Sequence, residues 1–234
     1  MDEFNQQMLN IQGTVIPLGG GNHWTANQVE LSEPIEIKGK EYNSVVCKFP
    51  KNRNVELLSE NIKNHRKCLN TNVPTLAFVE HGIFHNEECL VVENLKKRKG
   101  ICYVSPNTHR DINAHESNEE FLRQNKMSCI DNLNEILEFA KKDLSIISLC
   151  GIYLPWDAYF FGVNMEKSNQ IKDYLIADFD CIEANFSECR GLFKENMNEF
   201  LQSLHQFVEE FVDNSTKKKE MMKKITCLSE LLLE

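Results

Sequence analysis

Ile152-Tyr-Leu-Pro-Trp-Asp-Ala-Tyr-Phe-Phe-Gly-Val163 and, after a gap of ten residues, Tyr174-Leu-Ile-Ala-Asp-Phe-Asp-Cys181 are the two stretches whose reading decides the fold. Each holds a short apolar run with an acid at its mouth: Asp157 stands just before residues 158–163, and Asp178 just after residues 174–177. The polar segment 164–173 between the runs reads as a hairpin connection. Antiparallel pairing sets the start of one strand beside the end of the other, so the two carboxylates meet at one edge. Two converging acids beside a buried sheet point to a divalent metal and, with it, a phosphate ligand.

The 234-residue chain, 41% hydrophobic, is long enough for one large core or two small lobes and too short for several independent domains. Its nine cysteines are odd in number, form no C-x-x-C pair and mostly sit in apolar runs, which suits buried, reduced thiols, a cytoplasmic setting and no zinc site. No apolar run approaches the roughly 20 residues of a membrane span, and Met-Asp-Glu-Phe-Asn lacks the regions of a signal peptide. The chain closes on Leu-Ser-Glu-Leu-Leu-Leu-Glu without a cap, which leaves room for a further segment after Glu234. A net charge of -9 speaks against nucleic-acid binding, which needs a basic face. Even so, Lys51, Arg53, Lys63, Arg66, Lys67, Lys96, Lys97, Arg98 and Lys99 gather nine of the 26 basic residues in one region.

Upstream, residues 13–49 read as strands around the turn Gly19-Gly20-Gly21, and Val45-Val46-Cys47 forms an apolar strand that ends in Lys48. Glycines between strands let backbone amides approach a phosphate. Residues 54–70 follow as a helix capped by Asn54, with Val55, Leu58, Ile62 and Leu69 on one side and Glu56, Glu60, Lys63 and Lys67 on the other. That charged side reads either as a solvated face or as the source of a glutamate for Lys48. Strands over 75–84 and 88–95 come next, turning at His85-Asn-Glu. A polar loop covers 106–118, and a long amphipathic helix carries Ile130, Leu133, Ile136, Leu137, Ala140, Leu144 and Ile147. Helices return over 192–211 and 215–234. The expected class is α+β, with an antiparallel β-sheet lobe and one helix over 1–95 and a mainly helical lobe over 96–234 that holds the hairpin 152–181.

This order of glycine turn, lysine strand, glutamate helix, two strands, long helix and two acid-bearing strands resembles the protein-kinase superfamily over roughly residues 13–211. The resemblance makes Gly19, Gly20 and Gly21 the glycine-rich loop, with Trp24 where a third glycine is usual. It makes Lys48 the lysine on the α- and β-phosphates, and Glu60, or Glu56 one turn earlier, its partner. Glu93-Asn94-Leu95 looks like the hinge that meets adenine through backbone groups. Asp178-Phe179-Asp180 is similar to Asp-Phe-Gly, whose aspartate holds magnesium.

Pro155-Trp156-Asp157 falls at the family's Pro-x-Asn, which makes Asp157 the second metal ligand; the family's catalytic aspartate, five residues earlier, is replaced by Ile152, and Gly151 stands at its arginine. Asp157 is therefore ligand or base, with the ligand role favoured by register. Only eleven residues separate Asp180 from Leu192, too few for a long activation segment. The implied activity is an atypical kinase using ATP and Mg2+ or Mn2+, most simply on protein Ser or Thr. The acidic, Asn-rich composition, with 25 asparagines, looks like the kinases that intracellular bacteria deliver into host cytosol. The basic cluster would take a polyanion such as an inositol polyphosphate or a phosphoinositide headgroup. The missing acid keeps open a pseudokinase, a nucleotide- or phosphoinositide-binding module; a small-molecule phosphotransferase of the aminoglycoside-kinase type is disfavoured for the same reason.

Overall fold

The computed structural model describes residues 8–20, 23–51, 55–106, 122, 124–167, 169–179, 182–184 and 189–233. The glycine Gly21, the cap Asn54, Arg53, Asp180, Cys181 and the loop from residue 107 lie outside these residues.

The chain is α+β, with a curled mixed sheet and, among the described residues, four α-helices of more than one turn. Six strands make the sheet: β1 (Leu9–Ile11), β2 (Gly13–Gly20), β3 (Trp24–Ile37), β4 (Lys40–Pro50), β5 (Val79–Phe84) and β6 (Glu87–Glu93), in the order β1-β5-β6-β4-β3-β2. All neighbours are antiparallel except β1, which runs parallel to β5. Two of its hairpins close in two residues at positive φ: Lys38-Gly39 (52° and 75°) joins β3 to β4, and His85-Asn86 (52° and 64°) joins β5 to β6. Such primed turns match the right-handed strand twist. The sequence reading placed the second turn correctly but ran β5 back to Thr75. Instead, Thr75 bridges in parallel to Ile176, far along the chain.

The alternation of β4 sorts the sheet's two faces. Val45 and Cys47 are fully buried among Val29, Phe78, Cys89 and Val91 on one side, with Phe49 packed beside them, whereas Val46 packs on the other side with Leu90, Val92 and Trp24. Onto this second side folds α1 (Val55–Leu69), which buries Leu58, Ile62 and Cys68.

After β6, a 3-10 turn (Leu95–Lys97) leads to β7 (Ile101–Val104), which joins β9 (Tyr159–Asn164) and β10 (Ile171–Ile176) in the order β10-β9-β7. Between β7 and β9 lie α2 (Leu133–Leu149) and the two-residue β8 (Ile152–Tyr153), which pairs with β11 (Glu183–Ala184). The chain finishes with α3 (Cys189–Phe211) and α4 (Ser215–Leu233). Phe200, Leu204, Phe207 and Phe211 line one face of α3; Phe200 stacks edge-on or tilted against Tyr159, Tyr174 and Phe161 of the hairpin, and Phe207 tilts against Phe161. One apolar core runs without a break from Leu58 and Val92 of the sheet region to Leu204 and Ile225 of the helices.

Among the described residues, Cys47, Cys68, Cys89, Cys102 and Cys129 are buried free thiols, and Cys150 and Cys227 are exposed free thiols. Burial pushes the Cys68 thiol up to about 12, so it stays protonated. No helix among the described residues is long and apolar enough to cross a membrane.

Candidate functional site

The site begins on a row of paired residues. Gly19 of β2 faces Ala26 of β3, which faces Lys48 of β4, which faces Leu90 of β6. This row sets the lysine on the sheet side that looks toward the helices. The glycine end carries φ +91° at Gly19, and no atom lies within 4 Å of where its side chain would start.

The acids come from the hairpin. In the register of β9 with β10, Tyr159 faces Ile176, and the Ala177 N–H continues the ladder by donating to the Ala158 carbonyl at 2.9 Å. Asp157 stands in the 3-10 turn Trp156–Ala158 just before β9, and Asp178 follows Ala177 at the same end of the hairpin, its N–H 3.5 Å from the Ala158 carbonyl. Lys48 Nζ lies 3.4 Å from Asp178 Oδ1, with 21% and 28% of the two side chains exposed, so the pair is partly open to solvent rather than sealed in the core. Among the described residues, no three His, Cys, Asp or Glu side chains gather as a metal cage. Mg2+ seldom takes an all-protein shell, so a small number of carboxylates would suit it.

Three elements hold this edge, and none of their key residues was singled out in the sequence. From α1, the buried Asn64 donates its amide to the carbonyls of Phe179 (3.1 Å) and Ile182 (2.9 Å). One residue on, the His65 ring meets the Phe179 ring edge-on at 5.2 Å and its Nε2–H donates to the Leu76 carbonyl at 2.8 Å. Burial pulls His65 down to about 4, so it is neutral at ordinary pH. The segment before β5 grips Ile176 twice: its carbonyl accepts from the Thr75 hydroxyl (2.9 Å), and its N–H donates to Pro74 (3.0 Å).

From α3, the fully buried Asn196 accepts from the Leu154 N–H (2.8 Å) and donates to the Ile152 carbonyl and the Ser148 hydroxyl (2.9 Å each). One turn later Glu199 accepts from the Trp156 N–H at 2.8 Å. A polar residue on an apolar stripe is the signal that marks them: Asn196 precedes Phe200 and Leu204 by one and two turns.

Two expectations are corrected. Glu60 was read as the partner of Lys48, but it is exposed on the outer side of α1, as is Glu56, and the lysine pairs with Asp178. The periodicity that buries Leu58 and Ile62 turns Glu60 outward. The second correction concerns the basic cluster. Arg98 is not available to an anion: its Nε and Nη2 reach the two oxygens of the buried Glu93 at 2.8 and 2.7 Å. Burial raises the Glu93 carboxyl, but the Arg98 fork and the Ala77 N–H at 2.8 Å outweigh it and hold it below the usual carboxylate range. Lys97 pairs with Glu30 at 2.9 Å, and Arg66 lies 3.8 Å from Glu80. Lys63 and Lys67 lie on α1 and Lys96 and Lys99 on the turn after β6, and Lys51 is exposed at the end of β4.

Glu93 and Leu95 do sit where the chain passes from one sheet to the next. The Glu93 side chain is a buried structural anchor, and the Leu95 carbonyl accepts from the Arg98 N–H at 3.2 Å. No protein-family model matches this chain, and no curated protein matches it.

Proposed function

We propose that this chain binds ATP and Mg2+ at the edge formed by Lys48, Asp157 and Asp178 and acts as an atypical kinase of the protein-kinase superfamily. The observation that carries the reading is the Lys48–Asp178 pair: a lysine in the same cross-strand row as Gly19 meets, across 130 residues of chain, the acid that follows β10. That arrangement supplies a cation for the α- and β-phosphates and a carboxylate for the metal. Asp157 adds the second carboxylate, fixed by Pro155 and by the Glu199 bond to Trp156. Magnesium bound there would neutralise charge on the phosphates. Phosphoryl transfer is carried mainly by such positioning and charge stabilisation, so activity does not require every acid of the family set. The proposed acceptor is a protein Ser or Thr. Exposed Lys63 of α1, with Lys67, remains a proposed point of contact for an inositol polyphosphate.

One observation favours a second reading, a nucleotide-binding pseudokinase. Ile152, at the family's catalytic aspartate, is 2% exposed and paired with Ala184, and Gly151 takes φ +67° to end α2, its N–H donating to Ser148. That backbone is given over to helix termination and core packing, and a general base is typically worth about 10²–10⁴-fold in rate. Radiolabelled ATP with Mg2+ or Mn2+ and a general protein substrate decides between them. The kinase reading expects label transfer above that of Lys48→Ala and Asp178→Ala. ATP binding without transfer leaves the pseudokinase, and absence of both removes the nucleotide site.

A further inference from the structure

Arg98 belongs to a polar chain that crosses from one sheet to the other. Its fork holds Glu93 at the end of β6, and its Nη1 donates to the Tyr103 hydroxyl of β7 at 3.1 Å, with the guanidinium 5.2 Å from that ring's centre. Tyr103 donates in turn to Asp173 Oδ2 of β10 at 2.9 Å. The other oxygen, Oδ1, is buried and has no hydrogen-bond partner, so Tyr103 is what orients this carboxyl.

The last link passes over β9 at a place made for it. Tyr103 and Asp173 both pair with Gly162, and a side chain there would start 2.4 Å from Asp173 Oδ1 and 2.8 Å from the Tyr103 ring. Only glycine lets the two groups meet across the middle strand.

The ends of this chain of bonds, Glu93 and Asp173, lie on the strand beside β4 and on the strand that leads to Asp178. Val45, three residues before Lys48, pairs with Glu93, and Asp173 lies on the strand that ends just before Asp178. We infer that Arg98, with Tyr103 and Asp173, is a positioning latch that fixes the six-stranded sheet against the hairpin so that Lys48 and Asp178 meet. The residue that sequence placed in an anion site thus acts inside the fold, on the geometry of the site. The consequence for nucleotide rests on the reading proposed above; the mechanical link does not.

The test uses the full chain with Tyr103→Phe, which keeps the ring and cuts the Asp173 bond, and Arg98→Gln, which removes the fork. Amide hydrogen exchange is followed over 95–104 and 171–178, and the Kd for ATP with Mg2+ is measured beside it. Both variants should speed exchange in both segments and weaken ATP at least tenfold. The double variant should be no worse than Arg98→Gln alone, and Arg98→Lys should not restore affinity, because a single ammonium cannot hold Glu93 and Tyr103 together. A merely structural role would lower Tm and leave Kd in place. Unchanged exchange over 171–178 in folded Tyr103→Phe overturns the latch, and so does faster exchange with unchanged Kd. If the wild type binds no ATP while Tyr103→Phe still speeds exchange on both sides, the nucleotide reading fails and the mechanical latch stands.

Discussion

Replacing Asn196 with alanine tests whether α3 builds the loop that presents Asp157. The side chain makes three hydrogen bonds, to the Leu154 N–H, the Ile152 carbonyl and the Ser148 hydroxyl, and is fully buried, as is Leu154. Alanine leaves the Leu154 N–H and the Ile152 carbonyl without partners in a region closed to water. At about 1–3 kcal/mol for each of the two stranded buried groups, the expected loss is about 2–6 kcal/mol. Ser148 softens the change only slightly, because its hydroxyl already donates to the Leu144 carbonyl at 2.6 Å. Asn196→Asp keeps the acceptor for Leu154 but turns a carboxylate on the Ile152 carbonyl, so it should cost as much or more. Urea unfolding followed by circular dichroism gives the number. A loss under about 1 kcal/mol for Asn196→Ala would refute the claim that this residue organises residues 148–154.

Other consequences follow from the same geometry. His65 is held to about 4 against an ordinary 6.5, so the native state binds fewer protons than the unfolded chain between those values and stability falls as pH drops through that window. The full effect is about 3 kcal/mol, read as the extra pH dependence of wild type over His65→Gln in chemical denaturation from pH 7 to 4. Gly162→Ala would force apart Asp173, Ile101 and Tyr103, with an expected loss of about 1–3 kcal/mol in the same assay. Glu60→Ala, at an exposed position with no role at Lys48, should leave stability within about 0.5 kcal/mol and ATP binding unchanged; a clear loss of affinity would return Glu60 to the site.

Much of the candidate site was legible because strands alternate and hairpins fix register. The runs after Asp157 and before Asp178 were apolar enough to read as paired strands, and pairing alone puts their acids at one end. Lys48 was legible for the same reason: it follows the apolar run Val45-Val46-Cys47 within β4. What failed was reach. Glu60 has the right chemistry and lies close in sequence, but helix phase turns it to solvent. The four consecutive basic residues after Leu95 looked alike in sequence, yet Lys97 and Arg98 pair with Glu30 and Glu93, the first a residue more than sixty positions away. Such long-range pairing leaves no periodic trace. Asn64 and Asn196 were passed over because a single amide on an apolar stripe lowers its hydrophobicity without announcing the backbone groups it serves. Short strands such as β8 and β11 exist only through each other, so neither could be read alone.

The central claim is that Lys48 and Asp178 make a Mg2+-dependent nucleotide site. Its most direct test is equilibrium binding of ATP by calorimetry, with and without Mg2+, to the wild type, Lys48→Ala and Asp178→Asn. The account predicts binding that tightens at least tenfold with Mg2+, weakens in Lys48→Ala with or without metal, and loses its metal dependence in Asp178→Asn. No binding by the wild type, or equal metal-dependent binding by Asp178→Asn, would contradict it.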